Sequence, residues 1–294
     1  MGVLAGRFVN AGAGTMLAFL LLIASPVTAY AGLLDSITES ISNFEKEVSA
    51  KEEKQHLPLD KEKILGREVA SQLLGALPLV DDKEVQRYVN KVGVWVAQQS
   101  SRPEIGWHFG VLDSDAINAF AAPGGYVFIT RGLFSLMQSE AELAGVLGHE
   151  IAHVTARHHL SAMETAQKTQ ENVDWWAEAL NAEDSETYKK VSGKVANVLL
   201  SGLDQDSEKE ADRIGVVLAA RAGYDPFSLF SVLTTIGHLN PQEANMQLLS
   251  STHPHSDVRI DSLDYAIGDR FDRVADQAIV EDRFLKMKRR LENK

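Results

Sequence analysis

The feature that most constrains this chain is an apolar run that contains the segment Gly148-His149-Glu150-Ile151-Ala152-His153. Apolar residues recur there at helical spacing and no proline occurs between residues 140 and 160, so we predict one uninterrupted helix. His149 and His153 are four residues apart, which places both imidazoles on one face. Such a pair can bind one zinc ion, and Glu150 can act as general base on a water molecule. The alternative is a helix whose two histidines serve packing alone.

Composition excludes several other kinds of site. The chain has 294 residues, of which 45% are hydrophobic and 24% are charged, as in a globular protein that can bury a sizeable core. It has no cysteine, which excludes Cys-ligated zinc, thiol catalysis and disulfide bonds. The net charge of -12 argues against a nucleic-acid-binding protein, so we expect no nucleic-acid partner.

Residues 1–31 have the pattern of a secretory signal peptide. Arg7 precedes an apolar stretch at residues 16–24, and small residues allow cleavage after Ala31. The apolar stretch is too short to span a bilayer alone. An uncleaved N-terminal anchor stays open as the alternative, because no charge occurs between Arg7 and Asp35. The pattern predicts export to the periplasm of a bacterium-like cell.

Helical patterns follow the signal segment. Residues 32–60 mix apolar side chains at helical spacing with many charges, and we interpret them as an amphipathic leader helix with a solvated face. Packing across the catalytic domain, or association with a membrane surface, is the alternative. Further helices are predicted at residues 61–77 and 81–99, the second capped by Asp81 or Asp82. The valines that form its predicted core face are Val85, Val89, Val92 and Val96.

The hydrophobic period then changes to that of β-strands. Strands are predicted at residues 107–112, 117–122 and 126–130, with Pro123-Gly124-Gly125 as the turn between the last two. An edge strand here could pair with an extended peptide and hold it against the metal. The candidate substrate-binding residues are Asn118, Ala119, Phe120, Ala121, Gly124 and Gly125. A structural hairpin without a ligand is the alternative. Ser139 is predicted to cap the helix that follows, with Glu142 three residues on.

A helix predicted over residues 204–222 offers a third zinc ligand. Glu208 and Asp212 are four residues apart and share one face. Glu208 would complete a set of two histidines and one glutamate, which leaves a fourth position for water. Asp212 could accept the free Nδ1–H of a ligand histidine. Glu210 faces elsewhere and is rejected. The alternative is a group of acidic residues that merely stabilises a helix N-terminus.

Two residues downstream are candidates for catalysis. His253 and Arg259 could each donate a hydrogen bond to the oxyanion of a tetrahedral intermediate. His253 could instead bind the metal and give a latent site. An ordinary loop histidine and a surface arginine are the alternative. His158 and His159, predicted to continue the metal-binding helix, share the face of His153 poorly, and we interpret them as packing or surface residues.

The proposed domain boundaries follow from these patterns. A metallopeptidase domain is predicted at residues 61–270, and residues 164–202 within it are predicted to form two helical segments. Residues 271–294 are predicted as a C-terminal charged helix, which we interpret as solvated.

Taken together, the motifs resemble those of the HtpX and CAAX-prenyl-protease-like zinc metallopeptidases, from about residue 61 to residue 267. The matching motifs are His149-Glu150-x-x-His153, Glu208-x-x-Ala211-Asp212, Asn118-Ala119-Phe120-Ala121-x-Pro123-Gly124-Gly125, and Thr252-His253-Pro254 with Arg259. The signal sequence points to the periplasmic, BepA-like branch of that family.

This resemblance implies a gluzincin fold of the α+β class, mostly α, with the HExxH helix packed beside a small β-sheet. It also implies one zinc ion per chain, with Glu208 as its third ligand. Some relatives carry a C-terminal tetratricopeptide array that recruits outer-membrane assembly machinery. We expect none here, because the chain ends too soon after the matching motifs.

The predicted activity is zinc-dependent hydrolysis of peptide bonds in unfolded or misassembled envelope proteins, with Glu150 as general base. A periplasmic chaperone or adaptor with a structural or latent zinc site is the first alternative. A zinc hydrolase that acts on a small amide is the second.

Overall fold

The computed structural model describes residues 57–169, 185–253, 256–268 and 278–292. All of these residues lie in the second of two compact units, Gln55–Lys294. The predicted signal peptide and residues 32–56 of the predicted leader helix lie outside the described residues. Residues 170–184, in the predicted pair of helical segments, also lie outside them.

Helices dominate the described chain. They are α1 (Leu59–Ala76), α2 (Lys83–Ala97), α3 (Arg131–Leu136), α4 (Glu140–Thr155), α5 (His158–Thr169), α6 (Ser185–Ser201), α7 (Gln205–Arg221), α8 (Ser228–Gly237), α9 (Gln247–Thr252), α10 (Ser256–Ile267) and α11 (Glu281–Glu292). Among these described helices, we find none with the length and apolar character that a membrane span requires.

A small sheet lies between α2 and α3 in the sequence. Its strands are β1 (His108–Leu112), β2 (Ala119–Ala122) and β3 (Tyr126–Thr130), in the order β1-β3-β2. β1 is parallel to β3, whereas β2 is antiparallel to it, from the pair Ala119–Ile129 to the pair Ala122–Tyr126. β2 is therefore an edge strand among the described strands. The three predicted strands and the α+β, mostly α, fold class are confirmed.

Helix α2 packs on β1. All four predicted valines are buried, so the predicted core stripe is confirmed. The helix begins after Asp82, whose carboxylate accepts hydrogen bonds from the amides of Glu84 and Val85 at 3.0 and 3.2 Å. Of the two predicted caps, Asp82 is the one used, because its side chain reaches the free amides of the first turn.

Helix α4 carries the two histidines of the HExxH motif. Ser139 caps it as predicted, since its Oγ accepts a hydrogen bond from the Glu142 amide at 3.1 Å. The expectation of one uninterrupted helix to residue 160 is wrong, because α4 ends at Thr155. Arg157 has a φ of 57°, in the left-handed region that helices exclude, and its Nε lies 3.5 Å from the buried carboxylate of Glu62. A second helix, α5, then begins at His158.

The interpretation of the C-terminal helix as solvated is also wrong. In α11, Phe284 and Leu291 are buried, and the Phe284 ring packs on that of Phe134 with centroids 4.8 Å apart. Arg283 donates to the buried carboxylate of Glu140, the first residue of α4. The apolar residues are spaced seven apart on one helix face, and the surrounding charges conceal that face in the sequence.

Candidate metal centre

The candidate metal centre lies where helices α4 and α7 cross. At the crossing, a Cβ atom on Gly148 would lie 2.7 Å from the carbonyl oxygen of Gly215. A Cβ atom on Gly215 would lie 2.7 Å from the amide nitrogen of His149. Only glycine at both positions allows the two backbones to approach this closely. The close approach brings the acidic residues of α7 to the histidines of α4.

Three side chains converge beside this crossing. The Nε2 atoms of His149 and His153 are 3.0 Å apart. Oxygen atoms of Glu208 lie 3.4 Å from His153 Nε2 and 3.7 Å from His149 Nε2. All three residues are buried, and one ligand atom from each, together with one from His253, lies within a span of 4.8 Å.

The protonation states of these groups suit a divalent cation. Burial opposes ionisation of Glu208, but the charges of His253 and Arg259 outweigh it and lower its pKa to about 2. Burial and the neighbouring histidines hold the pKa of His153 well below its usual value, so its imidazole is neutral. Two imidazoles and one carboxylate, converging in a buried space, are a donor set that zinc prefers. The residues therefore fit a zinc ion.

A second layer of contacts supports His149 and Glu208. Asp212 Oδ1 lies 2.9 Å from the Nδ1 atom of His149, where it can accept a hydrogen bond from that ring. Arg259 donates to Asp212 through Nε at 2.9 Å and Nη2 at 2.6 Å, and its Nη1 lies 3.1 Å from a Glu208 oxygen. Burial opposes ionisation of Asp212, but Arg259 outweighs it and keeps the pKa of that carboxyl very low. Arg259 thus binds the two acidic residues, which favours a positioning role over contact with an oxyanion.

Glu150 and His253 lie on the side of the centre that faces a cleft. Burial raises the pKa of Glu150, whose Oε2 is without a hydrogen-bond partner among the described residues. His253 Nδ1 lies 3.0 and 3.1 Å from the two Glu208 oxygens, and its Nε2 lies 3.8 Å from Glu150 Oε1. Burial disfavours the charged imidazole of His253, but the carboxylates of Glu208 and Glu150 outweigh it and raise its pKa. Burial therefore makes Glu150 a stronger base, whereas the neighbouring carboxylates favour the charged form of His253.

The cleft itself is mostly apolar. His149, Glu150, His253 and Arg259 form its polar side. Its apolar side is formed by Ala119, Leu133, Val146, Leu229, Val232, Leu233, Ile236 and Leu249. A cleft of this kind, with a few convergent polar groups, is typical of a ligand-binding site.

The predicted substrate-binding residues divide into two groups. Ala119, at the start of the edge strand β2, lines the cleft. Phe120, Ala121, Gly124 and Gly125 do not line it. Phe120 is buried in an apolar cluster with Phe128, and the Gly124 amide donates to Glu62 on α1 at 3.2 Å.

Asn118 reaches the site through a neighbour. It is fully buried, and its Oδ1 accepts a hydrogen bond from Thr252 Oγ1 at 3.0 Å. Thr252 directly precedes His253, so this contact positions the loop that presents the imidazole.

His158 and Glu210 lie near the centre, although the sequence did not predict a role for either residue there. The Nδ1 atom of His158 lies 2.9 Å from that of His153, and the Nε2 atom of His158 lies 3.6 Å from Glu210 Oε2. Regular helical spacing continued through Arg157 places His158 away from His153, and the spacing within α7 places Glu210 away from Glu208. The left-handed backbone of Arg157 returns His158 to the centre. A helical pattern alone carries no signal for such a break.

Residues 81–267 match the model of peptidase family M48. This chain belongs to peptidase family M48. The expected enzyme class, a metalloprotease hydrolase, is thereby confirmed, as is the predicted resemblance to BepA-like zinc metallopeptidases.

Individual M48 relatives support the assignment. The chain is 30% identical over 212 residues to the beta-barrel assembly-enhancing protease of Escherichia coli strain K12, which covers 69% of this chain and 43% of that protein. It is 31% identical over the same length to the protein of that name from Yersinia pestis, with the same coverage. The mitochondrial metalloendopeptidase OMA1 of Schizosaccharomyces pombe is 30% identical over 178 residues, 59% of this chain and 50% of that protein. The chain thus spans half or less of the length of each of these relatives.

The helix crossing yields a direct prediction. Gly215→Ala should destabilise the protein by about 1 to 3 kcal/mol, because the added methyl group would overlap the backbone of α4. Gly193→Ala, in helix α6, is the matched control, since its Cβ would meet no atom within 4 Å. That variant should gain about 0.5 to 1 kcal/mol from reduced chain entropy. Urea unfolding measures both values, and equal shifts would contradict the role of the crossing.

Proposed function

We propose that this M48 peptidase is a zinc-dependent endopeptidase that hydrolyses peptide bonds in unfolded or misassembled envelope proteins in the periplasm. The observation that carries the proposal is the convergence of His149, His153 and Glu208 beside the buried carboxylate of Glu150, at the edge of an apolar cleft. Two histidines and a glutamate leave a coordination position for water, as a catalytic zinc site requires.

The chain's own residues then perform the proton transfers. A zinc ion held by His149, His153 and Glu208 would polarise the scissile carbonyl and lower the pKa of a water molecule. Glu150 accepts the proton of the attacking water, a task helped by burial, which raises the pKa of its carboxyl. The protonated Glu150 then donates to the leaving amine, which completes cleavage. Arg259 and Asp212 hold His149 and Glu208 in place throughout.

The surroundings of the centre favour a polypeptide substrate over a small amide. Edge strand β2 offers backbone groups that an extended chain could pair with, and its first residue, Ala119, lines the cleft beside Glu150. The apolar side of the cleft would accept an apolar side chain of the substrate. Both features suit unfolded protein, in which extended segments and apolar side chains are exposed.

The compartment and the clients are inferred from the sequence and from the relatives. The secretory pattern of residues 1–31 supports export to the periplasm. The relatives from Escherichia coli and Yersinia pestis are named for enhancing β-barrel assembly, which supports a role in quality control of envelope proteins. The proposed partners are polypeptide clients, and association with a membrane surface is a further proposal.

Substitution of the general base tests this mechanism. Glu150→Gln should retain one zinc ion and the native fold but cleave casein about 10²- to 10⁴-fold more slowly, because the amide cannot accept a proton. Glu142→Gln, a partly exposed position on the same helix, is the control and should cleave at the wild-type rate. Cleavage by Glu150→Gln at the wild-type rate, with zinc measured by elemental analysis, would contradict the mechanism.

A second candidate function is favoured by the position of His253. Its imidazole lies within the same 4.8 Å span as the three ligands, where it could bind the metal and close the open position. The protein would then be a periplasmic chaperone or adaptor with a structural or latent zinc site. Such a protein would bind unfolded clients equally well in wild-type and Glu150→Gln forms.

His253→Ala separates a closing role of His253 from its predicted role at the oxyanion. If His253 closes the metal, its removal should raise the rate of casein cleavage while zinc stays bound by three ligands. If it stabilises the oxyanion, the rate should fall by about 10²-fold or more. Steady-state kinetics on zinc-loaded protein measures the direction, and a fall would exclude the latent site.

A further inference from the structure

The two ligand histidines of the proposed zinc site are supported differently. His149 has a carboxylate at its second nitrogen, with Asp212 Oδ1 at 2.9 Å from Nδ1. A carboxylate paired with an arginine only accepts hydrogen bonds, so Nδ1 of His149 carries the proton and Nε2 presents its lone pair to the metal. At His153, the corresponding Nδ1 atom faces another imidazole, that of His158, at 2.9 Å.

The contact between His153 and His158 determines the tautomers of both rings. In a hydrogen bond between two imidazole nitrogens, one donates and the other accepts. His153 can bind zinc through Nε2 only as the neutral ring with its proton on Nδ1, so His153 is the donor. His158 then accepts at Nδ1 and carries its own proton on Nε2.

The Nε2 atom of His158 faces an acidic group. It is buried and has no hydrogen-bond partner among the described residues, and Glu210 Oε2 lies 3.6 Å away. That distance is too long for a hydrogen bond but places a negative charge beside the N–H. Glu210 comes from α7, the helix that also supplies Glu208 and Asp212. The Nδ1–H of His153 therefore donates to His158, and the Nε2–H of His158 faces the carboxylate of Glu210.

We infer that His158 is a positioning residue of the metal centre, which fixes the tautomer and ring orientation of His153, with Glu210 as the acidic group behind it. The inference rests on the proposed function, since it concerns the affinity of the same site for zinc. Each ligand histidine then has its own supporting acid, Asp212 directly and Glu210 through an intervening imidazole. Removal of such outer partners costs about 10- to 100-fold in metal affinity in other zinc sites.

The rival account is that His158 only fills space in the core. The two accounts predict opposite orders for two substitutions. His158→Leu keeps an apolar side chain of comparable volume but removes the acceptor. His158→Asn is smaller but retains a polar side chain that can accept a hydrogen bond near the place of Nδ1. A packing role favours leucine, whereas a positioning role favours asparagine.

The experiment measures zinc affinity by competition with a chromophoric chelator, on the full chain first stripped of metal. We expect His158→Leu to bind zinc about 10- to 100-fold more weakly than wild type, and His158→Asn to lie between them. His159→Leu is the matched control, because His159 is also buried beside His153, with ring centroids 5.5 Å apart, yet no hydrogen bond joins the two. It should bind zinc as wild type does.

The outcomes separate the inference from the function on which it rests. Zinc binding by His158→Leu that equals or exceeds that of His158→Asn would overturn the role of His158 alone. Failure of the wild type to bind one zinc ion would instead overturn the proposed function. Glu210→Gln keeps the inference testable if His158→Leu does not fold, since Glu210 is partly exposed. A few-fold loss of zinc affinity is then expected, and an unchanged affinity would overturn the inference.

Discussion

The close approach of two helix backbones at Gly148 and Gly215 is the constraint on which the metal centre depends. Helix α4 alone offers two histidines and a glutamate, and helix α7 alone offers a row of acids. Neither helix can bind a catalytic zinc by itself. The missing side chains at both glycines let the helices meet with Glu208 within 4 Å of both ligand nitrogens. Any residue with a Cβ at the crossing would separate the two halves of the ligand set.

Buried charge is the second constraint, and it follows from the first. The crossing buries the carboxylates of Glu208 and Asp212, which is costly unless each is paired. Arg259 pairs with both, and the two histidines with Glu208 could bind one further cation. The same burial raises the pKa of Glu150, which lies beside this charged group but lacks a hydrogen-bond partner for its Oε2 among the described residues. The burial that accompanies the paired acids on α7 therefore also raises the basicity of Glu150 on α4.

Much of this architecture could be predicted from the sequence, because it depends on local spacing. The four-residue intervals place His149 with His153 and Glu208 with Asp212, and alternation of apolar residues locates the three strands. Features that depend on tertiary contacts could not be predicted. Arg157 adopts a left-handed conformation beside Glu62, so His158 contacts His153, which continued helical spacing would exclude, and lies near Glu210 on α7. Phe284 and Leu291 are buried on a helix whose charges suggest a solvated face. The commitment of Arg259 to two carboxylates is likewise visible only in three dimensions.

Elemental analysis of zinc in the purified chain tests the central claim most directly. The comparison is between wild type, Glu208→Ala and Asp206→Ala, the last a highly exposed acid in the first turn of the same helix. The account predicts one zinc ion per chain in wild type and in Asp206→Ala, and much less than one in Glu208→Ala, because Glu208 lies beside the Nε2 atoms of both histidines. A full equivalent of zinc in Glu208→Ala would contradict the proposal that the helix crossing supplies the third ligand.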